Sequence, residues 1–389
     1  MSAGYSTGYD AIVVGLGGMG SAAAHRLAER GLSVLGLDRF GPAHDRGASH
    51  GGSRITRQAY FEDPAYVPLL QRAGELWDHV SVESGRSLVD WTGGVMVGRP
   101  DGPTVGGSLA SAREWGLEHE LLDARAIRSR FPALRVAEHE AALVERRAGV
   151  VRPEESVRAH LSLARRAGAR LHHGETVLDW TSTGHGVRVR TDHGVYHAAT
   201  LVLAPGAWAP EVVADLGLPL RVERYVQFWF APDDPAAFAG HPVWIWEGDG
   251  DRQVYGFGTG SDGTVKVAFF RGGAPCDPHT VDRTVHADEV SEIATFVGRH
   301  VPGAVHRFVR AKTCLYTCTP DHHFVIAHHP SHDDVVLACG FSGHGFKFVP
   351  VVGEIVSDLV ADGRTRHPIG LFDPTRPALA PARSPEHVA

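Results

Sequence analysis

The stretch that decides the fold occupies residues 10–38 and reads DAIVVGLGGMGSAAAHRLAERGLSVLGLD. Its first five residues are rich in β-branched side chains, which predicts a short buried strand. The glycine-rich loop of residues 15–20 follows, and the pattern over residues 21–30 predicts an amphipathic helix that Gly31 ends. Residues 33–37 predict a second strand, and Asp38 stands at its end. Strand, G-x-G-x-x-G, helix, strand and acidic residue in this order predict a βαβ unit that binds a dinucleotide.

Each glycine of this loop has its own physical task. Gly15 allows the tight turn after the strand, Gly17 lets the backbone approach a pyrophosphate, and Gly20 lets the helix pack closely on the strand. The N-terminus of the helix faces the phosphates with its free N–H groups. Asp38 is expected to accept hydrogen bonds from the adenosine ribose. The motif by itself does not separate FAD from NAD.

The chain beyond residue 40 does not continue as a series of βαβ units, as a nicotinamide-binding domain would. A loop rich in Gly, Ser, His and Arg comes first, and a helix follows it. The βαβ pattern returns near residue 150 and again near residue 335, and alternating segments between them predict an antiparallel sheet. The predicted helices cover residues 64–82, 155–168 and 346–361, and the predicted strands cover residues 200–204, 224–231, 243–246, 253–257, 265–270 and 335–338. The sequence therefore predicts an α/β protein with an inserted antiparallel sheet.

Composition excludes several classes of protein. The 389 residues carry a formal charge of −7, whereas a nucleic-acid binder is usually basic. No run of 18 apolar residues is present, and residues 1–9 lack the pattern of a signal peptide. Four cysteines in this length do not make a disulfide framework, so the cytoplasm is the expected compartment. Only three of the 38 basic residues are lysines: Lys266, Lys312 and Lys347.

The most informative residues lie near the C-terminus, in KTCLYTCTPD (residues 312–321) and GFSGHGFKF (residues 340–348). With the N-terminal fingerprint, residues 49–57, 204–208 and 255–266, they resemble the monomeric sarcosine oxidase and N-methyltryptophan oxidase family of D-amino-acid-oxidase-like flavoproteins. The resemblance spans nearly the whole chain. It implies a Rossmann-like FAD-binding domain assembled from separated segments, with an inserted antiparallel-sheet substrate domain. The expected boundaries are residues 1–85, 145–215 and 320–375 for FAD, residues 86–144 and 216–319 for substrate, and a disordered tail at 376–389.

The resemblance also assigns roles around the cofactor. It implies that Cys314 holds FAD through a thioether, and the nearby Arg310 and Lys312 are expected to favour its thiolate. The loop with Gly343 and Gly345, together with the helix after it, is expected to face the flavin and stabilise negative charge there. Lys347 and Arg54 are expected to bind the substrate carboxylate, with Arg57 acting behind Arg54.

Lys266 is implied to lie over the flavin and to assist electron transfer to O₂, although a lysine in an alternating strand is ordinarily solvated. Tyr255 matches an active-site tyrosine of the family. Phe270 is a departure, because the sarcosine oxidase pattern has a histidine at this position. That departure favours a larger, more apolar amine than sarcosine, and Trp244 and Trp246 either line its site or pack in the core.

The predicted activity is that of an FAD-dependent oxidase of secondary N-methyl amino acids, which forms the demethylated amino acid, an aldehyde and H₂O₂. The alternative within the family is an oxidase of cyclic imino acids resembling pipecolate, in a biosynthetic pathway. A nicotinamide dehydrogenase and a non-enzymatic dinucleotide-binding module are the other classes. We expect a monomer whose partners are a small amino acid and O₂, without nucleic acid or membrane. No metal is expected, since the histidines of residues 322–332 read as a loop without carboxylate ligands at set spacing.

Overall fold

The computed structural model describes residues 8–248 and 252–380. Residues 1–7, most of the predicted turn at 248–251, and residues 381–389 of the predicted tail therefore lie outside the described part. The described residues form eight α-helices: α1 (Gly18–Glu29), α2 (Val67–Ser84), α3 (Pro103–Glu114), α4 (Ala124–Arg130), α5 (Pro153–Arg166), α6 (Ala209–Val212), α7 (Ala287–His300) and α8 (Val349–Asp362).

Twenty strands complete the described structure, and they make three sheets. In chain order they are β1 (Tyr9–Val14), β2 (Val34–Asp38), β3 (Arg54–Thr56), β4 (Val89–Asp90), β5 (Gly94–Gly98), β6 (Glu120–Asp123), β7 (Ala141–Glu145), β8 (Gly149–Val151), β9 (Arg170–His173), β10 (Val177–Ser182), β11 (Val187–Thr191), β12 (Val195–Leu203), β13 (Arg221–Ala231), β14 (Val243–Glu247), β15 (Gln253–Thr259), β16 (Val265–Phe270), β17 (Ala274–Pro275), β18 (Arg307–Cys318), β19 (Val325–His329) and β20 (His332–Cys339).

The first sheet is the one that the fingerprint predicts. Its order is β10-β11-β12-β1-β2-β9, and β20 pairs with β12 and carries β19 at its other edge. The central pairs β12–β1, β1–β2, β2–β9 and β12–β20 are parallel. β1 is buried along its apolar half, and α1, α2, α5 and α8 pack their apolar faces into one core beside this sheet. The carboxyl ends of the parallel strands are where an open α/β sheet binds its ligand.

The second sheet has nine strands, in the order β17-β13-β16-β15-β14-β5-β7-β6, with β18 also paired to β13. Most pairs are antiparallel, as the alternation predicts, but β14 and β5 are parallel. The short third sheet, β3-β8-β4, joins the segment that carries Arg54 to the rest of the chain. The two large sheets draw their strands from the segments into which the sequence divides, and the division into two domains stays a prediction.

Two local predictions were wrong. Residues 376–380, expected to be disordered, are held in place: the guanidinium of Arg376 donates to both carboxylate oxygens of Asp321 at 2.7 and 3.0 Å, and Leu379 is buried. The histidine-rich segment is a loop only up to residue 324, because residues 325–339 make the β19–β20 hairpin. In the described residues, no helix is long and apolar enough to cross a membrane.

Candidate active site

A cavity of about 380 Å³ opens at the carboxyl ends of the first sheet. The fingerprint glycines, Asp38 and Ser49 line one side, and Trp208, Thr317 and Gly343 line others. Gly15 has a φ of +86°, and a Cβ there would lie 2.4 Å from the carbonyl oxygen of Ala204. A Cβ on Gly20 would lie 1.7 Å from the carbonyl oxygen of Gly15, so helix and strand meet too closely for any side chain. These two glycines are sterically required by the fold.

Gly17 differs from Gly15 and Gly20 because the space that a side chain would fill there is open. The nearest atom to a Cβ placed there is Ser49 Oγ, at an ordinary 3.6 Å. α1 begins at the next residue and has no acidic side chain in its first turn, so its N-terminal N–H groups face the cavity without a competing carboxylate. An anionic phosphate group fits such a helix start well.

Asp38 and Trp208 are oriented toward the same cavity. The carboxylate of Asp38 is buried and accepts the N–H groups of Leu16 and Phe40, each at 2.7 Å, through separate oxygens. Those bonds fix the carboxylate and leave further lone pairs for a ligand hydroxyl. The buried indole Nε1 of Trp208 has no hydrogen-bond acceptor within the described part of the chain. Glycine cradle, fixed carboxylate and unused donor together fit an elongated dinucleotide such as FAD.

A second, smaller cavity of about 60 Å³ adjoins the first. Arg54, Tyr316, Gly343 and Phe346 line both cavities. Four of the residues predicted for the active site line the smaller cavity: Arg54, Lys347, Tyr255 and Phe270. Its other lining residues are Ile55, Arg57, Phe61, Glu62, Ile245 and His344. Three cations, one carboxylate and an apolar wall therefore surround a space beside the nucleotide cavity.

Arg54 is the residue that connects this space to Cys314. Its Nη2 lies 3.6 Å from Cys314 Sγ and donates to the carbonyl oxygen of Ala48 at 2.6 Å. The expectation that Arg310 and Lys312 assist Cys314 was wrong, because Arg310 pairs with Asp262 at 2.8 Å and Lys312 with Asp45 at 3.0 Å. Cys314 is fully buried, and its Sγ lies 3.9 Å from the carbonyl oxygen of Ala48, a residue that lines the nucleotide cavity.

Lys347 lies in the turn immediately before α8, which has Pro350 near its start. Its Nζ donates to the carbonyl oxygen of His344 at 2.8 Å, and the side chain is buried. Burial, and to a lesser extent the neighbouring Arg57 cation, lowers the pKa of Lys347 to about 7, and Glu62 opposes this shift. An additional anion in the cavity would favour the ammonium form.

Lys266 is buried, not solvated, on β16. Its Nζ donates to the carbonyl oxygens of Gly51 and Ser53, both at 2.8 Å, and burial holds its pKa well below the ordinary value for a lysine. The amine therefore fixes the loop that precedes Arg54. Lys312, by contrast, has a side chain that is 44% exposed and forms only a surface ion pair, so it is outside the site.

The two tryptophans of β14 lie away from the site. Successive residues of a strand face opposite sides of the sheet, so Ile245 lines the small cavity while Trp244 and Trp246 are buried in the core of the second sheet. Burial raises the pKa of Tyr255, and the Arg54 cation opposes that shift. Phe270 presents an apolar ring to the cavity where the family pattern has a histidine.

Sequence reasoning missed the anionic part of the site. Glu62 is buried and pairs with Arg57 at 2.5 Å, which balances one of the three cations. His344 donates from Nε2 to the carbonyl oxygen of His322 at 2.9 Å, so its Nδ1 accepts the hydroxyl of Tyr60 at 2.5 Å. Burial lowers the pKa of His344 to about 3, and the ring is neutral. Glu62 follows Arg57 by five residues, and no local pattern marked it.

Comparisons with known proteins agree with this geometry. A family model described as FAD dependent oxidoreductase matches residues 10–359. The chain is 58% identical to a monomeric sarcosine oxidase of Streptomyces avermitilis, over 96% of this chain and 99% of the relative. It is 33% identical to an N-methyl-L-tryptophan oxidase of Salmonella newport, over 92% and 95%. Among solved structures, NikD, described as an unusual amino acid oxidase essential for nikkomycin biosynthesis, is similar with a TM-score of 0.83 at 26% identity, covering 95% of this chain and 98% of that one.

Proposed function

The chain belongs to the monomeric sarcosine oxidase and N-methyltryptophan oxidase family of FAD-dependent oxidoreductases, and from that premise we propose that it oxidises small secondary N-methyl amino acids with O₂. The observation that carries the proposal is the small cavity, where Arg54 and Lys347 share a space that adjoins the nucleotide cavity. The net reaction converts the N-methyl amino acid, O₂ and water into the demethylated amino acid, formaldehyde and H₂O₂.

FAD, when bound, supplies the two-electron acceptor for the C–N bond of the substrate. The chain's own part is to hold the cofactor and orient the substrate. The N–H groups at the start of α1 and the open side of Gly17 would hold the pyrophosphate, and Asp38 the ribose. Gly343 and Gly345 pack against Tyr316 and Phe341, where a Cβ would clash, and the backbone of this loop before α8 would border the flavin.

Cys314 would anchor FAD through a thioether from its Sγ. The support is the position of this buried sulfur, 3.6 Å from Arg54 Nη2 and 3.9 Å from the carbonyl oxygen of Ala48 on the wall of the nucleotide cavity. Cys318 and Cys339 are buried with raised pKa values, chiefly through burial, and are poorer nucleophiles for this reason.

Arg54 and Lys347 would bind the substrate carboxylate, because both are buried cations on the wall of the same cavity. Arg57 is neutralised by Glu62, so it shapes the site without adding free charge. The remaining positive charge lowers the pKa of the substrate's amine and favours its neutral form, which is the form that can be oxidised. No separate strong base is then needed, in keeping with the neutral, fully hydrogen-bonded His344.

Lys266 would stabilise the negative charge that develops when O₂ is reduced. Its position on β16, with its Nζ bonded to the backbone beside Arg54, keeps it close to the site without lining the substrate space. Tyr255, on the neighbouring strand β15, would bound the substrate on its other side.

The size and lining of the small cavity favour a compact substrate. About 60 Å³ between Ile245, Phe270 and the cations suits an amino acid with little or no side chain better than an indole, so the cavity favours a smaller amine than the one that Phe270 led us to expect from the sequence. Phe270 in place of a histidine makes this wall apolar, which favours the N-methyl group over a polar substituent. We therefore expect N-methylglycine and N-methylalanine to be better substrates than N-methyltryptophan.

A second candidate is an oxidase of cyclic imino acids, which the likeness to the solved L-proline dehydrogenase from P. horikoshii favours, since proline is such an acid (TM-score 0.82, 25% identity). The test of both is an assay of peroxide release with sarcosine, N-methyltryptophan and pipecolate. The proposal expects the highest kcat/KM for sarcosine, with formaldehyde formed in equal amount to peroxide. Pipecolate as the best substrate, without formaldehyde, would instead establish the second candidate.

The enzyme would act as a monomer, like the bacterial relatives that are called monomeric sarcosine oxidases, and its four free cysteines suit the cytoplasm. Its FAD-binding and substrate domains would follow the boundaries that the sequence predicts, with the small cavity at their junction.

A further inference from the structure

Two helices beside the first sheet carry the same pair of side chains at the same spacing. α1 has His25 and Glu29, and α2 has His79 and Glu83. Residues four apart lie on one face of a helix, so each helix presents an imidazole next to a carboxylate. The packing of the described residues brings these two faces together, away from the active site.

The other three side chains lie around Glu83. His25 Nε2 lies 3.7 Å from Glu83 Oε1, and His79 Nε2 lies 3.9 Å from Glu83 Oε2. One ligand atom each from His25, Glu29 and Glu83 lies within 4.8 Å of the others. These separations are too long for hydrogen bonds and close to the spacing of ligands around one metal ion. Glu83 Oε2 is itself buried and has no hydrogen-bond partner among the described residues.

His25 is held by a neighbour on its other nitrogen. Its ring is only 1% exposed, and its Nδ1 lies 3.1 Å from Nδ1 of His160 on α5. With the proton of this bond on His25, the lone pair of Nε2 faces the carboxylates. Histidines that bind metals usually donate their second N–H in this way.

We propose that His25, Glu29 and Glu83 bind a divalent transition metal ion of the zinc class, and that the exposed His79, 3.9 Å from Glu83, turns toward the ion as its fourth ligand. Imidazoles and carboxylates are ligands that tetrahedral Zn²⁺ accepts. Arg26 now donates to Glu29 at 2.6 Å, and Arg166 lies 4.0 Å from Glu83. The ion would replace Arg26 as the cationic partner of Glu29. Its positive charge would pair with both carboxylates, which now lie near arginine side chains. It would thereby tie α1, which begins at the nucleotide cavity, to α2.

A second histidine-carboxylate group provides a contrast within the same molecule. Asp215, His329 and His332 also lie within 4.8 Å of one another. There the backbone N–H of Ser331 donates to His329 Nδ1 at 3.1 Å, so His329 Nε2 carries the proton that it gives to Asp215 at 2.8 Å. This nitrogen is already satisfied, and we assign no metal to that group.

The test is titration of tag-free, FAD-containing protein with ZnCl₂ by isothermal calorimetry in a non-coordinating buffer. We expect one Zn²⁺ per chain and a rise in Tm. Glu83→Gln and Glu29→Gln, both at side chains that reach solvent, should each weaken binding about tenfold or more while the flavin spectrum is kept. His160→Ala should weaken it about 10–100-fold, because it removes the partner that orients His25. His332→Ala is the matched control and should leave affinity unchanged.

Anomalous diffraction at the zinc edge from a soaked crystal should show a peak between α1 and α2. The proposal is overturned if the protein takes up no stoichiometric Zn²⁺, if Glu83→Gln binds as tightly as the unaltered chain, or if His332→Ala abolishes uptake. The site makes no contact with the substrate cavity, so its failure leaves the proposed oxidase activity untouched.

Discussion

Lys347 gives the sharpest test of the active site, because burial places its pKa at about 7. The test varies pH and measures the Kd of propionate, a carboxylate without an amine. A bound carboxylate needs the ammonium form of Lys347. Below pH 7 the lysine is protonated and Kd should be constant. Above pH 7 each unit of pH removes about nine-tenths of the remaining ammonium form, so Kd should rise about tenfold per unit. The rise ends at the higher pKa that Lys347 acquires in the complex.

The neighbouring groups do not titrate in the same range. Burial lowers the pKa of His344 to about 3 and raises that of Tyr255 above its ordinary value, while the Arg57 cation holds the pKa of Glu62 below its ordinary value against the effect of burial. Propionate itself is ionised throughout pH 6–9. Lys266 also has a pKa well below the ordinary value, because it is buried, so a slope that persists in Lys266→Gln reports on Lys347.

The assay is the change in the visible flavin spectrum as propionate is added at pH 6, 7, 8 and 9. Lys347→Met should raise Kd at pH 6 about 10–150-fold, the equivalent of a charge-assisted hydrogen bond of about 1.5–3 kcal/mol, and should remove the slope. Lys312→Met, at the exposed lysine paired with Asp45, should keep both Kd and slope. A Lys347→Met protein that kept the slope would refute the reasoning, because another group would then control binding.

Four further outcomes are expected. Lys266→Met should slow reoxidation of reduced flavin by O₂ about 10²-fold or more, while anaerobic reduction by substrate stays normal. Lys266→Gln keeps two N–H donors for the carbonyl groups of Gly51 and Ser53. Normal reoxidation in Lys266→Gln would show that the lysine only supports this loop. Gly20→Ala should lower Tm or prevent folding, since its Cβ would lie 1.7 Å from a carbonyl oxygen. Gly17→Ala should fold normally but retain less FAD. Equal effects of the two substitutions would contradict the proposal that the pyrophosphate lies at the open side of Gly17. Cys314→Ser should release all its flavin on denaturation in acid, and the unaltered chain should keep it; flavin lost equally from both would exclude the thioether. Phe270→His should raise KM for N-methyl substrates through a less apolar wall, measured by peroxide release, and an unchanged KM would show that this side chain does not touch the substrate.

The nucleotide-binding half was predictable from sequence because its determinants are local. A β-branched strand, a glycine loop and an amphipathic helix are adjacent in the chain, and the steric requirements at Gly15 and Gly20 follow from this adjacency. The strands of the inserted sheet at residues 243–247 and 265–270 were likewise visible from alternation and turns. The strands β5, β6 and β7 were not predicted, because their pairing partners lie far away in the chain.

The sequence by itself determined the cofactor class, the family and the residue types that carry charge, since motifs and their order are visible in the chain before it is folded. Only the tertiary structure decided which cations act together. It placed Arg54 beside Cys314 in place of Arg310 and Lys312, directed Ile245 to the cavity and Trp244 to the core, and added Glu62 as the balancing carboxylate. Burial distinguishes Lys266 and Lys347 from the exposed Lys312 in the same way. Charge balance and burial depend on groups that are distant in sequence, and for that reason they exist only once the chain has folded.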